Sequence, residues 1–580
     1  MRFKNLGALL LLPFLLHAIP LNRLANSRYW KILLHYRNGR SEIDSPNFFL
    51  SKNGKYSPLD ELNATVYYLL HPKYKGDKSV YCRFPARRVW IEKMLPNLKI
   101  KKQTCPQLQK ALNALKDVSS VSVIFPTISM NSPASMFGHT LIRLNYPGDP
   151  LNSFAVNFAA QTTDTNGIIY AFKGLTGLYH GKYAILPYYK KIFEYNDIKN
   201  RDIWEYKLNL TKQEIHRLVL HIYEIKNTYS KYYYFNKNCS YEILWLLEAA
   251  RPKLNLVNRF HYKVLPIDTL KVMKQEGLIV SSKYRPSKQK IILNYYNRIK
   301  HKKIALLFSK THNLSLIKNF SKKEKQYILD FAIEMLNYEH LGGKIDRKNY
   351  LKQYIALLKV RSKLGKEKTP KIKPPQNPLF SQDSNKIWIY GAKNEVIMGY
   401  KPAFHNIDDM NTGFTPGAYI DFFPIEFQIS DKNAKLLDFY FFDIKSLSPR
   451  NDVFKPVSWS VKLGLERFKN DKLYATLQTG AYFTYSALKG NFLYAFGIIV
   501  PQYLKDSYYI GISPAFYAEY NFKKAKFFIE TRKNYFKFKK YFSVYSQLLF
   551  QIKRDFNVNI GYKKTINDNY FFAGFSVYWL

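Results

Sequence analysis

The 580-residue chain is short of several things, and each shortage removes a class of protein. Cysteine occurs three times, too seldom for a disulfide-dense scaffold or a protein with several zinc sites. Acidic residues are few: 42 Asp and Glu stand against 90 Lys and Arg, a formal charge of +48. That excess raises the question of nucleic acid, but the lysines are spread over the whole length, with no recognition motif and no concentrated arm. Solvated faces account for them, and attraction to an anionic lipid surface is the functional alternative. There is no His-Glu-x-x-His, no Gly-x-Ser-x-Gly and no phosphate loop, so the motifs point away from a serine nucleophile and imply neither a metal nor a nucleotide cofactor. His216 and His221 are five apart, not the four that would place two ligands on one helical face. Long apolar runs are also missing, apart from one at the start.

That run, Leu6 to Ile19, follows Arg2 and Lys4 and is closed by Pro20. It is too short to span a bilayer and reads as a secretory signal over residues 1–18, cleaved near Ala18. The chain is therefore expected to be exported, without a transmembrane helix. Its length calls for two to four domains. The 47 % hydrophobic content excludes wholesale disorder, and the 17 % aromatic content points to a large β-structure or a membrane surface.

Five parts follow the signal. Residues 19–115 mix short helices and loops. Residues 116–255 hold strands and one strong helix. Residues 256–365 have helical periodicity, with Ser321 and Glu324 spaced as a capping box and Gly342-Gly343 as a stop. Residues 366–384 carry Pro370, Pro374, Pro375 and Pro378 and read as a stiff linker. From 385 to 580 the period changes to 2. Trp459, Val461, Leu463 and Leu465 alternate with polar residues or glycine, and so do Phe556, Val558, Ile560 and Tyr562. Runs of about nine to eleven residues match a tilted strand crossing a bilayer. The segment Tyr570–Leu580, with Phe571, Phe575, Val577 and Trp579 on one side, resembles the terminal strand of an outer-membrane barrel. The expectation is an antiparallel barrel in the outer membrane; the alternative is a soluble β-sandwich or closed barrel packed on the rest.

In an oxidising compartment Cys82 and Cys105, 23 positions apart, are expected to pair, which leaves Cys239. It follows Asn236-Lys237-Asn238 and opens an amphipathic helix running to Ala250. Asn236 or Asn238 can cap that helix. The helix dipole and the free amides of its first turn would favour a thiolate and could receive an oxyanion. A base is available in His139, on a glycine-hinged lead into a strand (Gly138-His139-Thr140-Leu141-Ile142-Arg143). A histidine on the inner face of a strand is as a rule a satisfied core residue, and it gains interest only beside such a cysteine.

Together, Asn131-Ser132-Pro133-Ala134-Ser135-Met136-Phe137-Gly138-His139-Thr140, Arg201-Asp202-Ile203-Trp204-Glu205-Tyr206 and Asn238-Cys239-Ser240-Tyr241 resemble the Lnb-type N-terminal periplasmic domain family over about residues 60–255. That family includes a bacterial lipoprotein N-acyltransferase. The order of histidine, strands and Asn-Cys opening a helix is similar to circularly permuted papain-like folds such as lecithin:retinol acyltransferase. The resemblance implies Cys239 as nucleophile and His139 as base. In such sites a polar side chain on the strand after the histidine orients the imidazole, which points to Asn157; an ordinary strand amide is the alternative. Arg201, Glu205 and Tyr183 are given a place near the cleft but no chemistry.

The expected fold class is thus α+β, a permuted papain-like cysteine domain with helical additions followed by an antiparallel C-terminal β-barrel. The expected function is a cell-envelope acyltransferase that moves an acyl group from a lipid donor, through a Cys239 thioester, to an amine such as a lipoprotein N-terminus. A cysteine amidase or peptidase, a lipid hydrolase on the same scaffold, and a non-catalytic barrel protein are the alternatives. The expected partners are a lipid or lipoprotein and the outer membrane, with no nucleic acid.

Overall fold

The computed structural model describes residues 21–130, 136, 138–148, 150–164, 166–366, 370–431 and 433–580. The signal segment with its cleavage point, and Asn131–Ser135 and Phe137 of the histidine motif, lie outside the described residues.

The N-terminal region is helical. Helices α1 (Pro58–Leu70) and α2 (Pro85–Met94) each begin with proline, whose fixed φ suits the first turn and whose missing N–H is no loss there. Cys82 and Cys105 are joined in a disulfide, with Cα atoms 5.5 Å apart. The fully buried Arg87 of α2 meets Glu61 of α1 at 2.6 Å, and its own backbone N–H donates to Glu224. The region is thereby locked to the domain that follows.

That domain is built on seven strands: β1 (Ser120–Pro126), β2 (Leu141–Asn145), β3 (Phe154–Ala160), β4 (Tyr179–Pro187), β5 (Ile203–Leu208), β6 (Tyr229–Tyr232) and β7 (Ile279–Arg285). They pair antiparallel in the order β6-β4-β3-β2-β1-β5-β7. The helices between them include α3 (Gly167–Thr176), α4 (Lys212–Ile225) and α5 (Cys239–Ala250). All twelve residues of α5 are buried, Glu242 and Glu248 among them, so the helix lies inside the domain rather than exposing the polar face of an amphipathic surface helix. It lies against β2 and β3, with α4 beside it. The seventh strand comes from a stretch whose sequence periodicity is helical throughout. Its residues are mostly exposed, so an edge strand leaves little apolar pattern to read.

Residues 288–362 form helices around their own core of Ile292, Phe308, Ile328, Phe331 and Leu357. Ser321 caps the helix Lys322–Leu341, but only half of the expected box forms: Glu324 instead accepts from the backbone of Lys300 and His301. The proline-rich stretch is tied down rather than free. Asn294 holds the Pro370 carbonyl, Tyr206 holds Asn377, and buried Lys271 donates to the Gln382 carbonyl and to Asp383 at 2.9 Å.

The C-terminal region is a closed antiparallel barrel of twelve strands. Consecutive strands pair as hairpins from Asn385–Ala392 to Asn569–Trp579, and these two strands pair with each other to close the ring. Two of the twelve are broken: Glu395–Lys401 continues as Ala403–His405, and Ala418–Phe422 as Ile425–Ile429. Closure leaves no free edge. The alternation works as the pattern expects, with Phe571, Phe575, Val577 and Trp579 exposed outside while Tyr570, Phe572, Ser576 and Tyr578 are buried. Inside, Lys386 pairs with Asp408 and Asp409, Lys445 with Glu530, and Lys563 with Glu426. These ion pairs surround a cavity of about 220 Å³.

Candidate active site

Gly138 has φ +79°, a left-handed backbone that glycine adopts without strain, and it turns His139 toward the middle of the sheet just before β2 begins. On the neighbouring strand, Asn157 of β3 presents Oδ1 to His139 Nε2 at 2.6 Å. An amide oxygen only accepts, so Nε2 carries the proton and Nδ1 of the neutral ring is left as an acceptor.

Cys239 is the first residue of α5 and is 2 % exposed. Asn238 is the cap: its Oδ1 accepts from the Ser240 and Tyr241 amides, and its Nδ2 donates to the carbonyls of Tyr234 and Val264. The backbone N–H of Thr140, the residue after His139, donates toward the Cys239 sulfur. The structure therefore brings His139 and Asn157 into a hydrogen bond and sets the histidine segment against the cysteine. Tyr195 stands beside both, its ring 5.6 Å from that of His139 and within electrostatic reach of Cys239.

The electrostatics differ from the expected thiolate. Burial pushes the Cys239 thiol up, against donation from the Thr140 and Ser240 amides and the Tyr232 hydroxyl. Burial also lowers His139 to about 3. The Asn157 hydrogen bond opposes this shift, while Arg201 and Lys191 reinforce it. The resting pair is a neutral thiol and a neutral imidazole. A helix N-terminus favours the anion, but complete desolvation outweighs it. The oxyanion donors differ too, since the Ser240 and Tyr241 amides are engaged by Asn238. The Cys239 amide instead faces the hydroxyl of Tyr232, which also touches the sulfur.

Tyr232 was not singled out by the sequence reading. Its one signal is the aromatic run Tyr232-Tyr233-Tyr234-Phe235 just before the cysteine motif. Arg201 is buried, with Nε on the Thr127 carbonyl and Nη2 on the Pro126 carbonyl, both at 2.6 Å, and its guanidinium lies over Tyr195. It thus braces the wall of the site. Glu205 pairs with Arg143 at 2.8 Å beneath the sheet. Tyr183 donates at 2.8 Å to Glu242, one turn along from Cys239. Burial raises Glu242 to about 8, so it holds its proton.

Residues 108–276 match the model of the Lnb N-terminal periplasmic domain. This segment is an Lnb-type domain. Its matched range contains His139, Asn157, Tyr232 and Cys239. Three further matches flank the Lnb-type domain, each described as a domain of unknown function: DUF7843 at residues 22–94, DUF7842 at 282–372 and DUF7840 at 387–579. No curated protein matches the chain. Among solved structures, a loop L8 deletion mutant of OmpT, an outer membrane protein of Vibrio cholerae, is similar over 34 % of this chain and 97 % of its own. The identity is 8 % and the TM-score 0.17. A periplasmic-domain family joined to a closed antiparallel barrel fits a protein of the cell envelope.

Proposed function

We propose that the Lnb-type domain is a cysteine-dependent acyltransferase and that the barrel anchors it in the outer membrane. The observation that carries this reading is the His139 Nε2–Asn157 Oδ1 hydrogen bond, with the Thr140 amide at the Cys239 sulfur. It leaves Nδ1 of the ring unprotonated and able to accept a proton. The order of base, orienting amide and helix-opening cysteine is similar to that of permuted papain-like sites.

In the proposed reaction, His139 Nδ1 takes the proton from Cys239 as the sulfur attacks the ester carbonyl carbon of a lipid. The carbonyl electron pair moves onto oxygen, where the Cys239 amide and the Tyr232 hydroxyl donate to it. The C–O bond to the lipid alcohol breaks, the alcohol leaves with the proton from His139, and a thioester remains. An amine then attacks that carbonyl and gives its proton to His139. The C–S bond breaks, and the thiolate recovers the proton. Because both groups start neutral, no buried ion pair has to be sustained between turnovers. The aromatic surroundings, Tyr170, Tyr195 and Tyr232, suit an acyl chain better than a peptide stem.

The test is trapping with a lipid-like thiol-reactive probe followed by mass mapping. Label on Cys239, lost in His139→Ala, and no turnover in Cys239→Ala with an unchanged fold, is the expected result. Full activity of Cys239→Ala would overturn the proposal.

A further inference from the structure

The thiol is buried, and two segments lie within electrostatic reach of it. One is α3, whose Tyr170 interacts electrostatically with Cys239. The other is the pair of short helical turns from Tyr188 to Ile198, which carries Tyr195. Tyr170 and Tyr195 are thus both within electrostatic reach of the buried Cys239 and of one another. The outer faces of the two segments are apolar and uncovered. On α3 and just beyond it, Ile169, Phe172, Leu175 and Leu178 are 45, 61, 45 and 62 % exposed. On the second segment, Phe193 and Ile198 are 45 and 48 % exposed. Ile169, Phe172 and Leu175 follow each other at helical spacing, so they form one stripe. A concentration of this kind on two neighbouring short elements marks a contact surface.

The contact partner follows from what lies beside it. The Gly174 carbonyl of α3 accepts from the Tyr234 amide, and a Cβ at Gly174 would run into the Tyr234 ring. The next residue, Phe235, packs its ring at 5.0 Å from Phe422 and 5.8 Å from Phe423 of the barrel. Phe423 is itself exposed, at the break in a strand that continues with Phe427 and Ile429 on the outer wall. Helix α3 is thus joined through the dipeptide Tyr234-Phe235 to the rim of the barrel, beside its apolar outside. Exposed Lys182 and Lys190 accompany it, as cations do beside an anionic headgroup layer.

We infer that the outer faces of α3 and of the 188–198 segment enter the lipid leaflet next to the barrel, and that this contact shifts them and opens access to the buried Cys239. The inference rests on the reading of the barrel as a membrane anchor, and its main test does not depend on acyl transfer. The full chain carrying Phe172→Cys in a Cys239→Ala background has one free cysteine, the other two being bridged. It is labelled there with an environment-sensitive fluorophore and reconstituted in phosphatidylcholine–phosphatidylglycerol vesicles. An acyl-chain nitroxide lipid should quench the label by about half, since an interfacial apolar face sits among the upper acyl carbons. Phe571→Cys on the barrel wall serves as the reference. Quenching at 571 without quenching at 172 would overturn the inference. Alkylation of Cys239 by iodoacetamide in vesicles should in turn slow about tenfold in Ile169→Asp/Phe172→Asp, a modest population shift. Equal rates would overturn the uncovering step.

Discussion

The Tyr232 hydroxyl lies against both the Cys239 sulfur and the Cys239 amide, and in the proposed reaction it borders the place where the carbonyl oxygen gains charge. Tyr232 is buried, and burial holds its hydroxyl well above the ordinary range, so it donates at every working pH. Tyr232→Phe should lower kcat for acyl transfer about a hundredfold or more with KM little changed, the usual cost of one lost oxyanion donor. Steady-state kinetics on vesicle lipid would show this, and an unchanged kcat would remove Tyr232 from the reaction. Cys239 and His139 were legible in the sequence because their signals are local: a glycine hinge before a strand, and Asn-Cys before an apolar helix. Asn157 was reachable from strand order. Tyr232 was not, because its place depends on the pairing of β6 with β4, which no local pattern encodes. The acidity of the thiol was misjudged for a related reason, since a helix terminus is a local feature and complete burial is a tertiary one.

At the scale of elements, α5 combines a cap that is legible in the sequence with buried carboxyl groups that are not. Glu242 sits among Tyr183, His35 and Glu42, and its folded pKa of about 8 lies above the unfolded value of about 4.5. A raised carboxyl pKa stabilises the fold in full below the unfolded pKa, and the contribution drains away as pH rises toward 8. The slope is about 1.4 kcal/mol per pH unit in that window. His139, lowered to about 3, has the opposite sign: its contribution is complete above about 6.5 and is lost as pH falls toward 3. Glu242→Gln should therefore flatten the alkaline side alone. Urea unfolding of the variant should show it gaining about 2–4 kcal/mol relative to the parent between pH 5 and 8; parallel pH profiles would contradict that. The strands of the barrel were readable because each buries one face. The edge strand β7 buries neither face well, and the half-formed box at Ser321 shows that Glu324 found better donors across the fold than along its own helix.

At the scale of the whole molecule, the ion pair of Lys271 with Asp383 sits at the junction of domain and barrel, with Asp268 also within 3.9 Å of the lysine. Removing the cation takes a buried partner from Asp268 and from Asp383, which keeps Arg554 at 3.2 Å. Lys271→Met should cost about 3–5 kcal/mol and separate the unfolding of the Lnb-type domain from that of the barrel. Calorimetry in detergent would show a domain transition moved to lower temperature with the barrel transition in place. A shift of both together would mean the junction carries no such load.

The same junction has a geometric consequence. Lys263 reaches Ser384, Tyr262 reaches Asn385, and Asn385 opens the first barrel strand. Among the described residues, these bonds fix the domain that carries Cys239 directly to the wall of the cylinder. Cys239 is held at a set elevation and cannot swing out to search. In the proposed reaction the amine would have to be delivered to that height, which would select acceptors that already lie close to the bilayer over those that diffuse freely in the space beyond it.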